Sequence, residues 1–329
     1  MSVQIKPRIL LTKTLPLAAQ KRIESFDKIE LIHWKDGVIP RGELLNLVKG
    51  VDGLLCMITD EIDEEVIETA GNQLKVVSTM SVGYDHVSTA ALKSRSIPLG
   101  YTPGVLTDAV ADLAVLLVLA AARRLREGIS AVLNGDWITW SPTWLLGSQL
   151  TDKTIGIVGF GRIGLGTAKR LKPFLGSNGK IVYAGRTVKK EAEEVDAKKV
   201  EFDVLIKEAD VVIISCSLTE ETRGMFNYEV FKKMKRSVIL VNIARGSMIN
   251  QPDLVHALSE NRLGAVALDV TTPEPLSPND ELLKFKNVTV IPHLGSATLE
   301  TRTAMANIAI DNLLAGIKGE KLPYQVEFN

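Results

Sequence analysis

The 329-residue chain has few of the residues that build disulfide frameworks and metal sites. Its two cysteines, Cys56 and Cys216, cannot form a disulfide framework. With only four histidines, the chain also has too few ligands at the usual spacing for a Cys/His zinc cluster. The scarcity of cysteine favours a reducing compartment, and the sequence predicts no metal site.

The chain also carries no excess charge and no long hydrophobic run. Lys plus Arg total 39 and Asp plus Glu total 39, so neither nucleic acid nor an acidic membrane is expected as a partner. The most apolar stretch, Leu113 to Ala122, has about half of the roughly 20 residues that a membrane-spanning helix needs. Because the sequence also shows no signal-peptide core and no peroxisomal tripeptide, a cytoplasmic location is expected.

Short aliphatic runs alternate with longer amphipathic or charged segments along the whole chain. This alternation is typical of parallel sheets whose strands are joined by helices, and the length suggests two domains. The first series of runs is 8–13, 29–34, 53–58, 75–79 and 97–101. The second series is 155–159, 181–185, 211–216, 238–243, 265–270 and 288–292, with a weaker run near Val200.

A long helix from Thr107 to Arg126 is predicted between the two series, because this stretch is rich in Ala and Leu and has Asp108 near its start. A second helix is predicted from about Ala297 to Gly316. If it returns to the first sheet, the first domain is discontinuous. The predicted fold class is therefore α/β, with two doubly wound parallel-sheet domains.

The second series opens with a glycine motif between an aliphatic strand and a helix. In that context the first glycine allows a tight turn, the second lets a pyrophosphate approach the backbone, and the third permits close helix packing. A glycine-rich turn without a ligand is the alternative. The predicted dinucleotide contacts here are Gly159, Gly161, Arg162, Ile163 and Gly164.

The next strand lacks the acidic residue expected about 20 residues on in an NAD site. It ends instead in Gly185, Arg186 and Thr187, followed by two lysines. A guanidinium can bind a 2′-phosphate through two charge-assisted hydrogen bonds, so the sequence predicts NADP(H) in preference to NAD(H). A solvated surface turn is the alternative explanation of these cations.

Three polar segments, which contain Arg245, Glu274 and His293, follow later strands of the second series. Open α/β sheets bind their ligands at the carboxyl ends of strands. The pattern therefore predicts a guanidinium, a carboxylate and an imidazole around the dinucleotide crevice. Taken singly, each residue also has a purely structural explanation. Arg245 could be a surface charge at a turn, Glu274 a solvated acid in a loop, and His293 a polar residue at the end of a strand.

Together with the glycine motif, these segments resemble the D-isomer-specific 2-hydroxyacid dehydrogenase family over essentially the whole chain. The likeness is strongest to its glyoxylate and hydroxypyruvate reductases. It is carried by 171–174, 184–186, 269–275 and 293–298.

The resemblance implies two Rossmann-like domains. One is a flavodoxin-like substrate-binding domain of residues 1–106 plus 297–329, and the other is an NADP-binding Rossmann domain of residues 107–296. It also implies hydride reduction of small 2-oxo acids, from glyoxylate to glycolate and from hydroxypyruvate to D-glycerate. A 2-hydroxyacid dehydrogenase of other substrate preference and a dinucleotide-dependent corepressor-type scaffold are the alternatives.

The resemblance also implies roles for single residues. His293 would donate a proton to the substrate carbonyl, Glu274 would favour the imidazolium, and Arg245 would hold the substrate. Asp269 resembles the aspartate that meets the nicotinamide carboxamide. The remaining implied coenzyme contacts are Ser217, His293 and Gly295.

The segment 81–86 resembles the substrate loop of the family. The resemblance implies that the backbone N–H groups of Val82 and Gly83 bind the substrate carboxylate, with an ordinary turn as the alternative. His86 is assigned to packing or capping. Two departures from the family pattern are Tyr84, where many relatives have an aliphatic residue, and Cys216-Ser217-Leu218, where much of the family has a proline.

Three of the four tryptophans lie in 137–144. This stretch resembles one in relatives that form dimers, so a homodimer is expected, with Trp140 at the subunit interface near a substrate site. Intramolecular packing is the alternative for Trp137 and Trp144.

Overall fold

The computed structural model describes residues 6–328. The chain divides into two compact units, Met1–Leu106 with Thr298–Asn329 and Thr107–Ala297. The predicted boundaries, 1–106 plus 297–329 and 107–296, differ from this division by one residue.

The strands, in chain order, are β1 Arg8–Leu11, β2 Glu30–His33, β3 Gly53–Cys56, β4 Val76–Thr79, β5 Leu99–Gly100, β6 Thr154–Val158, β7 Lys180–Ala184, β8 Lys198–Lys199, β9 Val211–Ile214, β10 Ile239–Asn242, β11 Ala265–Leu268 and β12 Val288–Val290. The α-helices are α1 Leu17–Glu24, α2 Arg41–Leu47, α3 Glu64–Ala70, α4 Thr89–Ser94, α5 Thr107–Ala122, α6 Leu125–Asn134, α7 Arg162–Leu171, α8 Phe202–Glu208, α9 Tyr228–Lys233, α10 Gln251–Ser259 and α11 Leu299–Ile317.

The first unit is built on a parallel sheet in the order β2-β1-β3-β4-β5. Strands β3 and β4 are buried along their whole length, as expected for central strands covered on both faces. The carboxyl-terminal helix α11 covers one face: Leu313 is fully buried, and the Ser78 hydroxyl donates to the Ala309 carbonyl oxygen at 2.9 Å. Helix α11 therefore belongs to the first unit, although it follows the second unit in the chain.

The second unit contains a parallel sheet of seven strands in the order β12-β11-β10-β9-β6-β7-β8. The chain runs outward from β6 to β8 on one side and then returns to continue from β9 on the other. The carboxyl ends of β6 and β9 thus form a topological switch point, where open α/β sheets bind ligands. The predicted α/β fold class with two parallel sheets is confirmed.

The predicted helix from Thr107 to Arg126 is wrong at its carboxyl-terminal end. Helix α5 stops at Ala122, and a separate helix α6 begins at Leu125. The backbone turns between them because Arg124 adopts a left-handed conformation with φ of +52°, and its Nη2 binds Glu127 Oε2 at 2.7 Å. Within residues 6–328, no helix is long and apolar enough to cross a membrane.

Candidate active site

The glycine motif forms a tight turn between β6 and α7. Gly159 has a φ of +91°, and a Cβ at this position would lie 2.5 Å from the backbone of Cys216. A Cβ on Gly164 would lie 2.4 Å from the Gly159 carbonyl oxygen. Both glycines are therefore required sterically, as the motif predicts.

The amino-terminus of α7 is open toward solvent. Gly161 is its N-cap residue, and no side chain caps the helix. A Cβ added to Gly161 would meet nothing within 4 Å. The first amides of a helix lack intrahelical partners and lie at the positive end of its dipole, and no acidic residue occupies this first turn. The turn therefore suits an anion such as a pyrophosphate, which would meet the amides of Arg162 and Ile163.

A serine that the sequence analysis did not single out braces this turn. The Ser215 hydroxyl, just after β9, donates to the Gly159 carbonyl oxygen at 2.5 Å. The sequence feature that could have indicated Ser215 is its position directly after an aliphatic strand. The next residue, Cys216, has its pKa raised by burial to about 11, so its thiol stays protonated at neutral pH. Ser217 is exposed, and its carbonyl oxygen accepts from the Thr222 hydroxyl at 2.9 Å.

The cationic side chains of the turn after β7 are exposed, but a buried residue holds the backbone of the turn. Residues 185–190 are exposed, and Arg186 makes no hydrogen bond or ion pair with any residue of the described range 6–328. The Lys189 amide donates to the Tyr183 hydroxyl at 2.9 Å. Tyr183 is buried and stacks on Phe160 of the glycine motif, with ring centroids 4.3 Å apart. The arrangement leaves the Arg186 guanidinium available to an anionic ligand.

Arg245 lies in a braced turn after β10. The buried Asn242 side chain accepts from the Ala244 amide at 3.0 Å and donates to the Arg245 carbonyl oxygen at 2.8 Å. A Cβ on Gly246 would lie 1.9 Å from the Thr271 carbonyl oxygen, so only glycine fits there. The backbone that carries Arg245 is thus held in place on both sides of that residue.

Asp269 joins the end of β11 to the segment after β12. Its buried carboxylate accepts from the amides of Leu294 at 2.5 Å and Gly295 at 3.0 Å, and its carbonyl oxygen accepts from the His293 amide at 2.9 Å. Burial raises the pKa of Asp269 above its usual range, although these amides partly oppose that effect. Two of the predicted coenzyme contacts, Asp269 and Gly295, are therefore hydrogen-bonded to each other. Together they hold the segment that carries His293.

His293 and Glu274 form a pair. His293 Nδ1 lies 2.9 Å from Glu274 Oε2, and Glu274 Oε1 accepts from the Thr271 amide at 3.0 Å. Burial alone would raise the pKa of Glu274, but the hydrogen bond and charge of His293, the Thr271 amide and the charge of Arg245 hold that pKa below its usual range. The carboxylate is therefore ionised at neutral pH.

The second ring nitrogen of His293, Nε2, has no protein partner within residues 6–328. The residue has a φ of +53°, a conformation that costs a non-glycine residue on the order of 1 kcal/mol. The hydrogen bonds of the His293 amide to the carbonyl oxygens of Asp269 and Ile291 hold it there. The ring thus has one nitrogen fixed by Glu274 and one available to a ligand.

The predicted substrate loop follows β4 in the first unit. The amides of Val82 and Gly83 donate to no residue of the described range. The Ser81 carbonyl oxygen accepts from the Thr102 amide at 2.8 Å, and the Tyr84 ring meets the Tyr101 ring edge-on, with centroids 6.2 Å apart. The loop therefore presents two adjacent unpaired N–H groups.

The tryptophan segment between α6 and β6 is largely exposed. Trp140 is 79% exposed, Trp137 60% and Trp144 40%. Trp140 and Trp144 line an open cavity of about 420 Å³ together with Arg123. Among the described residues, no group of three His, Cys, Asp or Glu side chains is arranged to hold a metal ion.

Comparison with known proteins gives consistent matches. The D-isomer specific 2-hydroxyacid dehydrogenase, NAD binding domain family matches residues 115–295. The chain is 45% identical to the mouse glyoxylate reductase/hydroxypyruvate reductase over 322 residues, which are 97% of this chain and 98% of that protein.

Two solved structures extend the likeness to the fold. The TT0316 protein of Thermus thermophilus is 42% identical with a TM-score of 0.90, covering 97% of this chain and 100% of that one. An NADPH-dependent glyoxylate/hydroxypyruvate reductase of Sinorhizobium meliloti, in complex with NADP and malonate, is 27% identical with a TM-score of 0.83, covering 98% and 97%. The family resemblance predicted from the motifs is confirmed.

Proposed function

Because the chain belongs to the D-isomer specific 2-hydroxyacid dehydrogenase family, we propose that it is an NADPH-dependent reductase of small 2-oxo acids. Its substrates are glyoxylate, reduced to glycolate, and hydroxypyruvate, reduced to D-glycerate. The names of the mouse and Sinorhizobium relatives support this substrate class. The observation that carries the proposal is the 2.9 Å contact between His293 Nδ1 and Glu274 Oε2, which leaves His293 Nε2 for the substrate.

The unit Thr107–Ala297 binds the coenzyme in this proposal. The glycine turn and the open amino-terminus of α7 suit its pyrophosphate, and the unpaired Arg186 guanidinium suits a 2′-phosphate. Gly185, Thr187, Ser217 and Asp269 complete the coenzyme contacts. When bound, NADPH supplies the hydride that reduces the substrate carbonyl carbon. NAD(H) is the weaker coenzyme because it lacks the phosphate that Arg186 binds.

His293 protonates the product oxygen. Its protonated Nε2 donates to the substrate carbonyl oxygen, and the ionised Glu274 stabilises the charged ring through Nδ1. Arg245 binds the carboxylate and carbonyl of the substrate with its planar guanidinium. Its positive charge stabilises the negative charge that develops on the carbonyl oxygen during hydride transfer. The amides of Val82 and Gly83, in the substrate-binding unit of residues 1–106 plus 298–329, bind the substrate carboxylate.

The active form in this proposal is a homodimer in which Trp140 lies at the subunit interface near a substrate site. Large apolar side chains are exposed along α6 and the segment that follows it, which favours burial against a second copy of the chain. They are Leu125, Ile129, Val132, Leu133, Trp137, Ile138, Trp140 and Leu146. Light scattering at micromolar concentration tests this: a dimeric mass is expected, and a monomeric mass contradicts it.

Initial rates with glyoxylate, hydroxypyruvate and larger 2-oxo acids, each with NADPH and with NADH, test the function. We expect turnover of the two small acids and a higher kcat/KM for NADPH. A preference for NADH would overturn the coenzyme assignment. Absence of turnover with every acid and both coenzymes would overturn the reductase and favour a coenzyme-dependent binding scaffold.

A further inference from the structure

Three side chains form a continuous row of hydrogen bonds beneath the substrate loop. His86 Nε2 lies 2.9 Å from Thr79 Oγ1, and Thr79 Oγ1 lies 2.8 Å from Ser81 Oγ. Ser81 Oγ donates to the Gly83 carbonyl oxygen at 2.7 Å. Thr79 is fully buried and Ser81 is 4% exposed, so the bond between their two hydroxyl groups is shielded from water.

Each hydroxyl group has one proton to donate, and this determines which atom donates and which accepts in each hydrogen bond of the row. A carbonyl oxygen only accepts, so the single hydroxyl proton of Ser81 is used on Gly83. Ser81 Oγ must then accept from Thr79, whose own single proton is thereby used. Thr79 Oγ1 in turn accepts from His86 Nε2, which carries a proton in that tautomer and in the imidazolium alike. The row therefore runs from His86 through Thr79 and Ser81 to the Gly83 carbonyl.

Hydrogen bonds to two carbonyl oxygens of the loop restrict the directions of the two unpaired amides. Because a peptide group is planar, the bond from the Thr102 amide to the Ser81 carbonyl oxygen orients the Val82 N–H as well. The hydroxyl of Ser81 fixes the peptide that follows Gly83. The Gly83 N–H lies between these two fixed peptide planes. The loop that carries the two adjacent unpaired N–H groups is thus held by side-chain and backbone hydrogen bonds.

We propose that Ser81, Thr79 and His86 are positioning residues that preorganise the carboxylate-binding amides of Val82 and Gly83. This inference rests on the proposed function, in which those amides bind the carboxylate of a 2-oxo acid. The three side chains act through the loop backbone, and the ligand they serve is a planar carboxylate. Preorganisation of this kind lowers the ordering cost of binding and affects substrate affinity more than the chemical step.

The test compares Ser81→Ala and Thr79→Val with the unmodified chain. Each variant breaks the row, and Thr79→Val keeps both side-chain shape and strand preference. We expect KM for glyoxylate to rise about tenfold, the scale of one lost hydrogen bond at a preorganised site. The value of kcat should stay within about twofold, since a contact shared by ground and transition states changes KM alone. The Kd of NADPH should not change.

Two variants serve as matched controls. Ser78→Ala removes the hydroxyl of a buried serine in β4, which donates to the Ala309 carbonyl oxygen and not to the loop. Thr79→Ser keeps the hydroxyl at the centre of the row. Both should leave KM within about twofold of the unmodified chain. Calorimetric titration with oxalate, an unreactive carboxylate probe, should show the same pattern in Kd without requiring turnover.

The outcomes separate the inference from the proposed function. If the unmodified chain reduces 2-oxo acids but Ser81→Ala and Thr79→Val match Ser78→Ala in KM and oxalate Kd, the positioning role is wrong. It is equally wrong if Thr79→Ser raises KM as much as Thr79→Val. If the unmodified chain reduces no 2-oxo acid, the proposed function fails, and the oxalate titration alone decides the inference: the same order of Kd values supports it, and equal values or no binding overturn it.

Discussion

The two groups of residues to which we assign substrate binding are built differently. In the second unit, Arg245, Glu274 and His293 are charged or ionisable side chains at strand ends, partly exposed and held by backbone hydrogen bonds. In the first unit, the loop that carries Val82 and Gly83 presents backbone N–H groups above buried hydroxyls. The side chains to which we assign the proton chemistry therefore stay accessible, whereas the amides to which we assign carboxylate binding lie next to buried hydroxyl groups.

We expect the largest effect from replacement of His293. His293→Gln removes the proton donor and keeps a polar side chain, so kcat should fall by about 10³-fold, as for loss of a general acid. The Kd of NADPH, measured by fluorescence titration, should stay within about threefold. A kcat within tenfold of the unmodified chain would break the assignment of chemistry to the second unit.

Arg245→Ala should have the next largest effect. It removes both substrate binding and stabilisation of the developing charge, so kcat/KM for glyoxylate should fall by about 10²-fold, with changes in both KM and kcat. Arg262→Ala is the control, because Arg262 pairs with Glu260 in the same unit. Similar kinetics in the two variants would contradict the role of Arg245.

Replacement of Arg186 should affect one coenzyme and not the other. Arg186→Ala should raise KM for NADPH about tenfold or more, since a charge-assisted pair with a phosphate is lost, and should leave KM for NADH nearly unchanged. The exposed Arg236 offers a control in Arg236→Ala. Equal effects on the two coenzymes would mean that Arg186 does not bind the 2′-phosphate.

Glu274→Gln should change the pH dependence more than the maximal rate. The lowered pKa of Glu274 keeps it ionised throughout the neutral range, and its charge is lost only as pH falls through that lowered value. Its stabilisation of the protonated ring is therefore present above that pH. Without the charge, the protonated ring loses this stabilisation, so the alkaline limb of the kcat/KM profile should move toward lower pH. An unmoved limb would show that the pair does not tune the proton donor.

Much of the fold could be predicted from the sequence, because parallel strands buried on both faces appear as continuous aliphatic runs such as 211–216 and 238–243. The break between α5 and α6 could not, since a single arginine in a left-handed conformation has no sequence signature comparable to glycine. Arg245, Glu274 and His293 were predicted because charged residues at strand ends stand out and match family motifs. Their assigned roles remain predictions.

The bracing residues were harder to predict for a physical reason. Asn242, Ser215 and Thr79 act through hydrogen bonds whose partners depend on turn geometry or on neighbouring strands. The hydrogen-bond partners are set by the tertiary structure, which the sequence does not show directly. Short polar side chains at strand ends also occur for many other reasons, so their presence alone does not predict these bonds. His86 was assigned to packing or capping, and the structure adds a bond from its ring to Thr79.

The most direct test of the central claim is the configuration of the product formed from hydroxypyruvate and NADPH. Chiral chromatography of the reaction mixture, with loss of NADPH absorbance followed in parallel, reports turnover and stereochemistry together. We expect D-glycerate in amounts equal to the NADPH consumed. L-glycerate, or no glycerate at all, would contradict it.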